Sequence, residues 1–260
     1  MNAIILAAGI GTRLKPYTDI WPKALMPING TPLLQIWIEK LFEADIQNIL
    51  INTHHFANEV KNFIESDFFK KYKDRIHISF EENLLGTAGT IKKNINFCSS
   101  NKTLILHADN FSDLDIKTFK NAFDEGPDNC LIGMVTFETK TPSSCGIVEV
   151  DKFSVVKSFI EKPTSPLGTK ANGAVYIFRK EALDFINNTP NVYDISLDVI
   201  PNYINMIFAW HHNGIFLDIG NEKNLISAQK LFPFNEHSSN WHKTFAKNQI
   251  HKMIANGLTV

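Results

Sequence analysis

Residues 6–23 read LAAGIGTRLKPYTDIWPK, and the residues that lead into them, Asn2 to Leu6, are rich in isoleucine and leucine. A short apolar run that ends in small residues reads as a buried strand of a parallel sheet followed by a tight turn. Ala7, Ala8, Gly9 and Gly11 remove side-chain bulk, so backbone N–H groups can approach anionic oxygens and form a concave cradle. Arg13 adds a planar fork able to hold two phosphate oxygens at once, and Lys23 adds a compact point charge. The stretch therefore predicts a polyphosphate site. Small residues after a strand also make an ordinary strand-to-helix turn, in which Arg13 would be a solvated side chain.

Two better-known phosphate loops do not fit. The dinucleotide fingerprint GxGxxG is met at Gly9 and Gly11, but its third glycine is Leu14, and Pro16 opposes a helix running on from the turn. A P-loop needs Gly-Lys followed by Ser or Thr, which occurs nowhere in the chain.

Taken whole, the segment resembles the signature of the sugar-1-phosphate nucleotidylyltransferases, LAAGxGTRLxPxTxxxPKxLxP. Leu6, Ala7, Ala8, Gly9, Gly11, Thr12, Arg13, Leu14, Pro16, Thr18, Pro22, Lys23, Leu25 and Pro27 meet every specified position. The resemblance covers about residues 1–230. It implies nucleotide contacts at Leu6, Ala7, Ala8, Gly9, Gly11, Thr12, Arg13 and Lys23.

Composition narrows the class. A chain of 260 residues with three cysteines and a net charge of −1 is long enough for a substantial core and carries no basic footprint for nucleic acid. The N-terminal apolar run ends at Gly9 without a basic leader, so neither a signal peptide nor a membrane span is expected. Cys98, Cys130 and Cys145 are widely spaced and odd in number, as suits reduced thiols. A cytoplasmic protein is expected.

The first half alternates strand-like and helical patterns, as in a three-layer, Rossmann-like α/β domain with a mostly parallel central sheet. Strands are expected at 2–6, 49–52, 76–80 and 103–107. Helices are expected from Pro32 to about Ala44, with Leu33, Leu34, Trp37, Ile38 and Leu41 on one face, and at 58–65 and 87–94. Shorter strands at 131–136, 146–150, 155–160 and 173–178 predict a smaller, mostly antiparallel sugar-binding insertion over about 131–180. Helices near 181–186 and 197–203, a strand near 206–210 and a helix after Asn221 complete a domain of residues 1–230. The C-terminal extension, 231–260, carries Trp241, Phe245, Ile250 and Ile254 at intervals of four and five. A short amphipathic helix is expected there, docked on the body or on a neighbouring subunit of a homo-oligomer, with a partly ordered tail as the other reading.

Polyphosphate chemistry calls for a hard divalent cation held by carboxylate oxygens. Asp109 after LILHA and Asp218 after GIFL stand at the ends of apolar strands, where an open α/β sheet places its ligand crevice. The resemblance implies that Asp109 and Asp218 bind Mg²⁺. Asp218-Ile219-Gly220 matches the family's Asp-Ile-Gly, and Asp109 matches the Asp of its Gly-Asp pair, although Ala108 replaces the glycine.

The segment EENLLGTAG, Glu81 to Gly89, resembles the nucleobase loop of the guanylyltransferases for mannose 1-phosphate and heptose 1-phosphate, with Leu84 in place of a common proline. The resemblance implies base contacts at Glu82, Gly86, Thr87 and Ala88, with Glu82 accepting from the guanine N1 and N2 groups. The same residues also read as a helix start capped by Thr87. FIEKP, ending in Glu161-Lys162-Pro163, resembles the sugar-phosphate motif, and Gly146, Asn172 and Gly173 match positions that contact the sugar. The adjacent pairs His54–His55 and His211–His212 point to opposite faces of a strand, so neither pair chelates one ion easily.

The reading is a Mg²⁺-dependent transfer in which a sugar 1-phosphate of mannose or heptose type attacks the α-phosphorus of GTP. Arg13, Lys23 and Asp109 would be catalytic, and Lys162 would neutralise the sugar phosphate. Two alternatives stay open: a uridylyltransferase acting on a hexose or amino-sugar phosphate, and a non-catalytic nucleotide-sugar-binding regulatory subunit.

Overall fold

The computed structural model describes residues 1–233, 235 and 237–258. Its first half runs β1 (Asn2–Leu6), β2 (Pro27–Ile28), β3 (Thr31–Pro32), α1 (Leu33–Glu43), β4 (Ile49–Thr53), α2 (Ala57–Ile64), β5 (Ile76–Phe80), α3 (Gly86–Lys93), β6 (Lys102–His107), β7 (Asn110–Ser112) and α4 (Ile116–Asp124). Its second half runs β8 (Ile132–Glu138), β9 (Gly146–Val150), β10 (Val156–Glu161), β11 (Lys170–Arg179), α5 (Lys180–Asn188), β12 (Ile207–His211), β13 (Phe216–Asp218), α6 (Glu222–Leu231), α7 (Asn240–Phe245) and α8 (Gln249–Leu258).

β1 lies at the centre because it is apolar on both faces: Ala3, Ile4 and Ile5 are fully buried. It pairs in parallel with β4 (Ala3↔Ile49) and β6 (Ala3↔Leu104), and β5 extends the sheet beyond β4. Alternation along β1 splits the core in two. Ala3 and Ile5 face the layer that includes Trp37, Phe63 and Phe119, and Ile4 faces Ala88, Ile91, Ala182 and Ile186. The chain runs from β1 outward to β4 and β5, then crosses back to place β6 on the other side of β1. The strand order therefore reverses between β1 and β6, and a ligand crevice opens outside their carboxyl ends.

The antiparallel segment is continuous with this sheet. β11 pairs with β6 (Val175↔Leu106) on one edge and β8 on the other, and β12 adds in parallel to β8. The β9–β10 hairpin joins at the start of β11 through Ala171↔Ile147. The long β11 does this by reaching past β6: its C-terminal half belongs to the main sheet, and its N-terminal half leads to the hairpin.

Two local differences have clear causes. Where a helix over 197–203 is expected, a π turn (Ile195–Val199) passes into a 3₁₀ turn (Ile200–Tyr203), because Pro201 lacks the N–H an α-helix would use. Among the described residues of the tail, two helices stand where one is expected, since the interval of five between Phe245 and Ile250 breaks the helical period. Both pack on the body: Phe245, Ile250 and Ile254 are buried, and Trp241 stacks on Phe245 at 4.7 Å and meets the tilted ring of Phe63 at 4.4 Å. Among the described residues no helix is long and apolar enough to cross a membrane.

Candidate active site

The signature loop leaves β1 and winds through three 3₁₀ turns, Thr12–Leu14, Tyr17–Asp19 and Lys23–Leu25, with Pro16 and Pro22 preventing a continuous helix. Gly11 has φ +74°, and a Cβ there would lie 2.8 Å from Thr18 Cγ2. Thr18 Oγ1 closes the loop by donating to Gly11 O at 2.8 Å. A Cβ on Gly9 would meet nothing within 4 Å, so this position borders open space. The cradle is held from below by Asn52 at the end of β4, whose Oδ1 accepts from Ala7 N at 2.6 Å. The third turn buries Lys23 to 8% exposure and aims its ammonium at two carboxylates.

Those carboxylates, Asp109 and Asp218, are brought together by a two-stranded ribbon. β7 pairs antiparallel with β13 in the register Asn110↔Asp218, and Ile219 N donates to Asp109 O at 2.8 Å. Lys23 Nζ lies 2.5 Å from Asp109 Oδ2 and 3.5 Å from Asp218 Oδ1. Arg13 Nη2 reaches the other oxygen of Asp218, Oδ2, at 3.2 Å. A Cβ on Gly220 would come within 2.7 Å of Asp218 Oδ1 and 2.8 Å of Arg13 Nη2, so the glycine of Asp-Ile-Gly makes room for this pair. Burial pushes the Asp109 carboxyl upward, but the Lys23 ammonium and the His107 imidazole outweigh it and hold the group below the usual carboxylate range.

The donor set fits a hard cation. Asp218 Oδ1 is buried without a hydrogen-bond partner among the described residues, and both carboxylates gather at the Lys23 ammonium, so Asp109 and Asp218 are the residues that would hold such an ion. Two carboxylates complemented by water and substrate phosphate are the usual surroundings of Mg²⁺.

Two cavities meet at His107 and Asp109. One, about 230 Å³, opens over the ends of β1, β4, β5 and β6 and is lined by Leu6, Ala7, Ala8, Gly9, Lys23, Gly86 and Thr87 among others. The second, about 180 Å³, lies toward the hairpin and is lined by Arg13, Asp218, Gly146, Glu161, Asn172 and Gly173 among others. Leu6 to Gly9, Lys23, Gly86 and Thr87 thus line one cavity, whereas Arg13 lines the other together with Gly146, Glu161, Asn172 and Gly173.

Five expected residues do not line either cavity: Gly11, Thr12, Glu82, Ala88 and Lys162. Gly11 shapes the loop. Ala88 is fully buried, and its N–H donates to Tyr193 O at 2.9 Å. Lys162 has φ +47° and a side chain 64% exposed, with Nζ 3.3 Å from Glu161 Oε1. Glu82 points to solvent, because alternation past the end of β5 turns Glu81 inward and Glu82 outward. Of the two glutamates Glu81 is the one that lines the first cavity: it is 1% exposed, its Oε1 accepts from Asn52 Nδ2 (2.9 Å) and Thr90 Oγ1 (2.5 Å), and its Oε2 accepts from Leu85 N (3.2 Å).

Other expectations are refined. Thr87 does not cap α3; its hydroxyl accepts from Ile195 N at 2.7 Å and donates to Asp194 Oδ2 at 3.2 Å. Asn172 turns both polar ends to its own strand, accepting from Ala174 N (2.9 Å) and donating to Tyr176 Oη (2.6 Å), across the bulge in β11. His54 and His55 hold loops through Glu81 O (2.9 Å) and Thr18 O (3.1 Å). Asn52, Glu81, His107 and Tyr193 were not foreseen as cavity residues. The strand-end rule that finds Asp109 would also have found Asn52 and Glu81, had it been applied to β4 and β5.

Comparison with known proteins gives a consistent picture. The family model described as Nucleotidyl transferase matches residues 2–233. A UTP–glucose-1-phosphate uridylyltransferase of Synechocystis is 31% identical over 232 residues, covering 81% of this chain and 59% of its own length. A mannose-1-phosphate guanylyltransferase catalytic subunit beta of Drosophila melanogaster is 29% identical, covering 89% and 62%. The chain thus spans about three fifths of the length of these curated relatives. Among solved structures, a putative glucose-1-phosphate thymidylyltransferase from Bacillus anthracis shares the fold with a TM-score of 0.81 at 21% identity, covering 94% of this chain and 99% of its own. HddC from Yersinia pseudotuberculosis, complexed with GMP-PN, has a TM-score of 0.73 at 25% identity, covering 89% and 99%. With an unbroken signature loop on this sheet and a family match over most of its length, the chain belongs to the nucleotidyl transferase family, among the sugar-1-phosphate nucleotidylyltransferases.

Proposed function

We propose that the protein condenses a sugar 1-phosphate of mannose or heptose type with GTP, releasing pyrophosphate and a GDP-sugar, with Mg²⁺ as cofactor. The observation that carries this reading is the meeting of Arg13, Lys23, Asp109 and Asp218 at the junction of two cavities. An oxygen of the sugar phosphate attacks the α-phosphorus in line, the bond to the β-phosphate bridging oxygen breaks, and pyrophosphate leaves with that electron pair. The nucleophile is already ionised at neutral pH, so no covalent intermediate and no general base are needed.

The chain's work is then to position two anions and offset their repulsion. Arg13 is exposed and tethered to Asp218 by one nitrogen, which leaves the rest of its fork for the β and γ phosphates. Lys23 sits beneath the point where nucleophile and leaving group separate, its ammonium held in place by Asp109. Asp109 and Asp218 would hold the Mg²⁺, which when bound supplies positive charge to an α-phosphate oxygen. Glu161, in the wall of the second cavity, is suited to accept from sugar hydroxyls, and Lys162, extended beside it, to swing toward the sugar phosphate.

For the base, Glu81 replaces Glu82 as the acceptor. Its carboxylate has about four lone-pair sites, of which the protein uses three, and it faces the cavity that ends at Gly86 and Thr87. The GTAG loop and the guanylyltransferase relatives favour GTP; the 31% identity to a uridylyltransferase favours UTP as the second reading. Pyrophosphate release with each nucleoside triphosphate, Mg²⁺ and a panel of sugar 1-phosphates tests this. Release with GTP and a mannose- or heptose-type phosphate is expected. Release with UTP instead transfers the assignment to the second reading, and binding without release indicates a non-catalytic module.

A further inference from the structure

Tyr193 is an aromatic residue in an unusual position: its backbone is fixed while the residue is 54% exposed and lines the cavity at the ends of β1 and β5. Tyr193 N and Asp194 N both donate to Asp198 Oδ2, at 2.8 and 2.7 Å. Tyr193 O accepts from Ala88 N at 2.9 Å, which ties the turn to the first residues of α3. The ring rests on Gly86. A Cβ there would lie 2.7 Å from both Cδ1 and Cε1, and Gly86 also has φ +73°. Glycine at 86 thus leaves room for one edge of the ring and for Tyr193 O, which would lie 2.4 Å from the same Cβ, while the residue stays about half exposed at the cavity. Leu84, 38% exposed, supplies further apolar surface to the same cavity, and the buried Glu81 carboxylate supplies its polar contact.

We propose that the Tyr193 ring is the stacking surface for the nucleobase of the bound nucleotide, so that Tyr193 touches substrate and sets nucleotide affinity. The inference rests on the nucleotidyl transfer reading but not on the choice of base, since every base presents a π-face. An exposed ring on a rigid turn pays little ordering cost on binding, because only two side-chain torsions are involved.

The test is equilibrium binding of GTP and of UTP, each with Mg²⁺, to the full chain and to Tyr193→Phe, Tyr193→Leu and Tyr193→Ala, together with KM for both substrates. The nucleotide that the wild type binds should bind Tyr193→Ala and Tyr193→Leu about 5- to 150-fold more weakly. Tyr193→Phe should stay within about twofold, because it keeps the π-face. KM should rise for the nucleotide and not for the sugar phosphate, a split that mere loosening of the fold would not give. Unchanged binding in Tyr193→Ala, wild-type binding in Tyr193→Leu, or a Tyr193→Phe as weak as Tyr193→Ala would each overturn the stacking role alone. A wild-type protein that binds neither nucleotide would overturn the functional reading with it.

Discussion

Lys23 Nζ stands 2.5 Å from Asp109 Oδ2, and the lysine is 8% exposed, so one ammonium is committed to the carboxylate pair from beneath the cavity floor. A cation in that position lowers the cost of gathering two carboxylates, and in the proposed reaction it would steady the incoming phosphate. Lys23→Ala is expected to reduce pyrophosphate release by about 100- to 1,000-fold, as for other preorganised charges aimed at a developing anion. Steady-state turnover measures it, and a loss under tenfold would remove Lys23 from the mechanism.

Arg13 differs in that its side chain is 66% exposed and its recorded ion pair is the single contact to Asp218. Arg13→Ala should therefore leave stability within about 0.5 kcal/mol while turnover falls by about 100-fold or more. Thermal unfolding beside the activity assay separates the two effects. Retained turnover would show that the leaving phosphates are held elsewhere.

Asp218 Oδ1 is buried and has no hydrogen-bond partner among the described residues; the Lys23 ammonium lies 3.5 Å away, too loose to occupy it fully. Asp218→Asn should raise the Mg²⁺ concentration needed for half-maximal activity by about tenfold or more, since an amide is a weaker ligand for a hard ion. A Mg²⁺ titration identical to wild type would assign the ion to other groups.

Glu81 and Glu82 are neighbours with opposite fates. Glu81→Gln introduces an NH₂ group among Asn52, Thr90 and Leu85 N and should destabilise the fold by about 1–3 kcal/mol, and it should weaken guanine nucleotides. Glu82→Gln, at an exposed position, should change neither. Denaturant unfolding of both variants gives the comparison, and equal effects would contradict the alternation.

His242 makes the tail's docking sensitive to acid. Burial, with a smaller contribution from His237, pushes its imidazole down to about 4; it is 4% exposed and bonded to Gln35 Oε1 at 2.7 Å. An unfolded chain would take up this proton near the ordinary value of about 6.5, and the folded chain only near 4. The unfolded state thus binds more protons between these values, so stability is complete above about 6.5 and declines as pH falls toward 4. His242→Gln should flatten that slope, measured as melting temperature against pH. A slope as steep as in wild type would place the titrating group elsewhere.

The local chemistry of the chain was legible at its N-terminus. β1, α1, β4, α2, β5, α3 and β6 follow the apolar periodicity closely, because propensity and burial agree there, whereas the short β2–β3 ribbon was not foreseen. Asp109 and Asp218 were singled out by their strand-end positions together with the resemblance of residues 6–23 and 218–220. Glu81 was missed in favour of Glu82 because a motif gives spacing but not the face: one residue of alternation decides which carboxylate enters the cavity. Lys162 was read from its motif, yet its positive φ directs the side chain along Glu161.

What the sequence by itself determined is the parallel core, the small-residue loop with its two cations in residues 6–23 and the identity of the charged groups, since each depends on neighbours within a few positions along the chain. What only the tertiary structure decided is how those groups meet. The β7–β13 ribbon that joins Asp109 to Asp218, the long β11 that merges the antiparallel strands with the main sheet, the anchored turn that lays Tyr193 on Gly86 and the docking of α7 and α8 all pair residues far apart in sequence. Such contacts are selected by shape and hydrogen-bond satisfaction over the whole fold, and no local pattern encodes them.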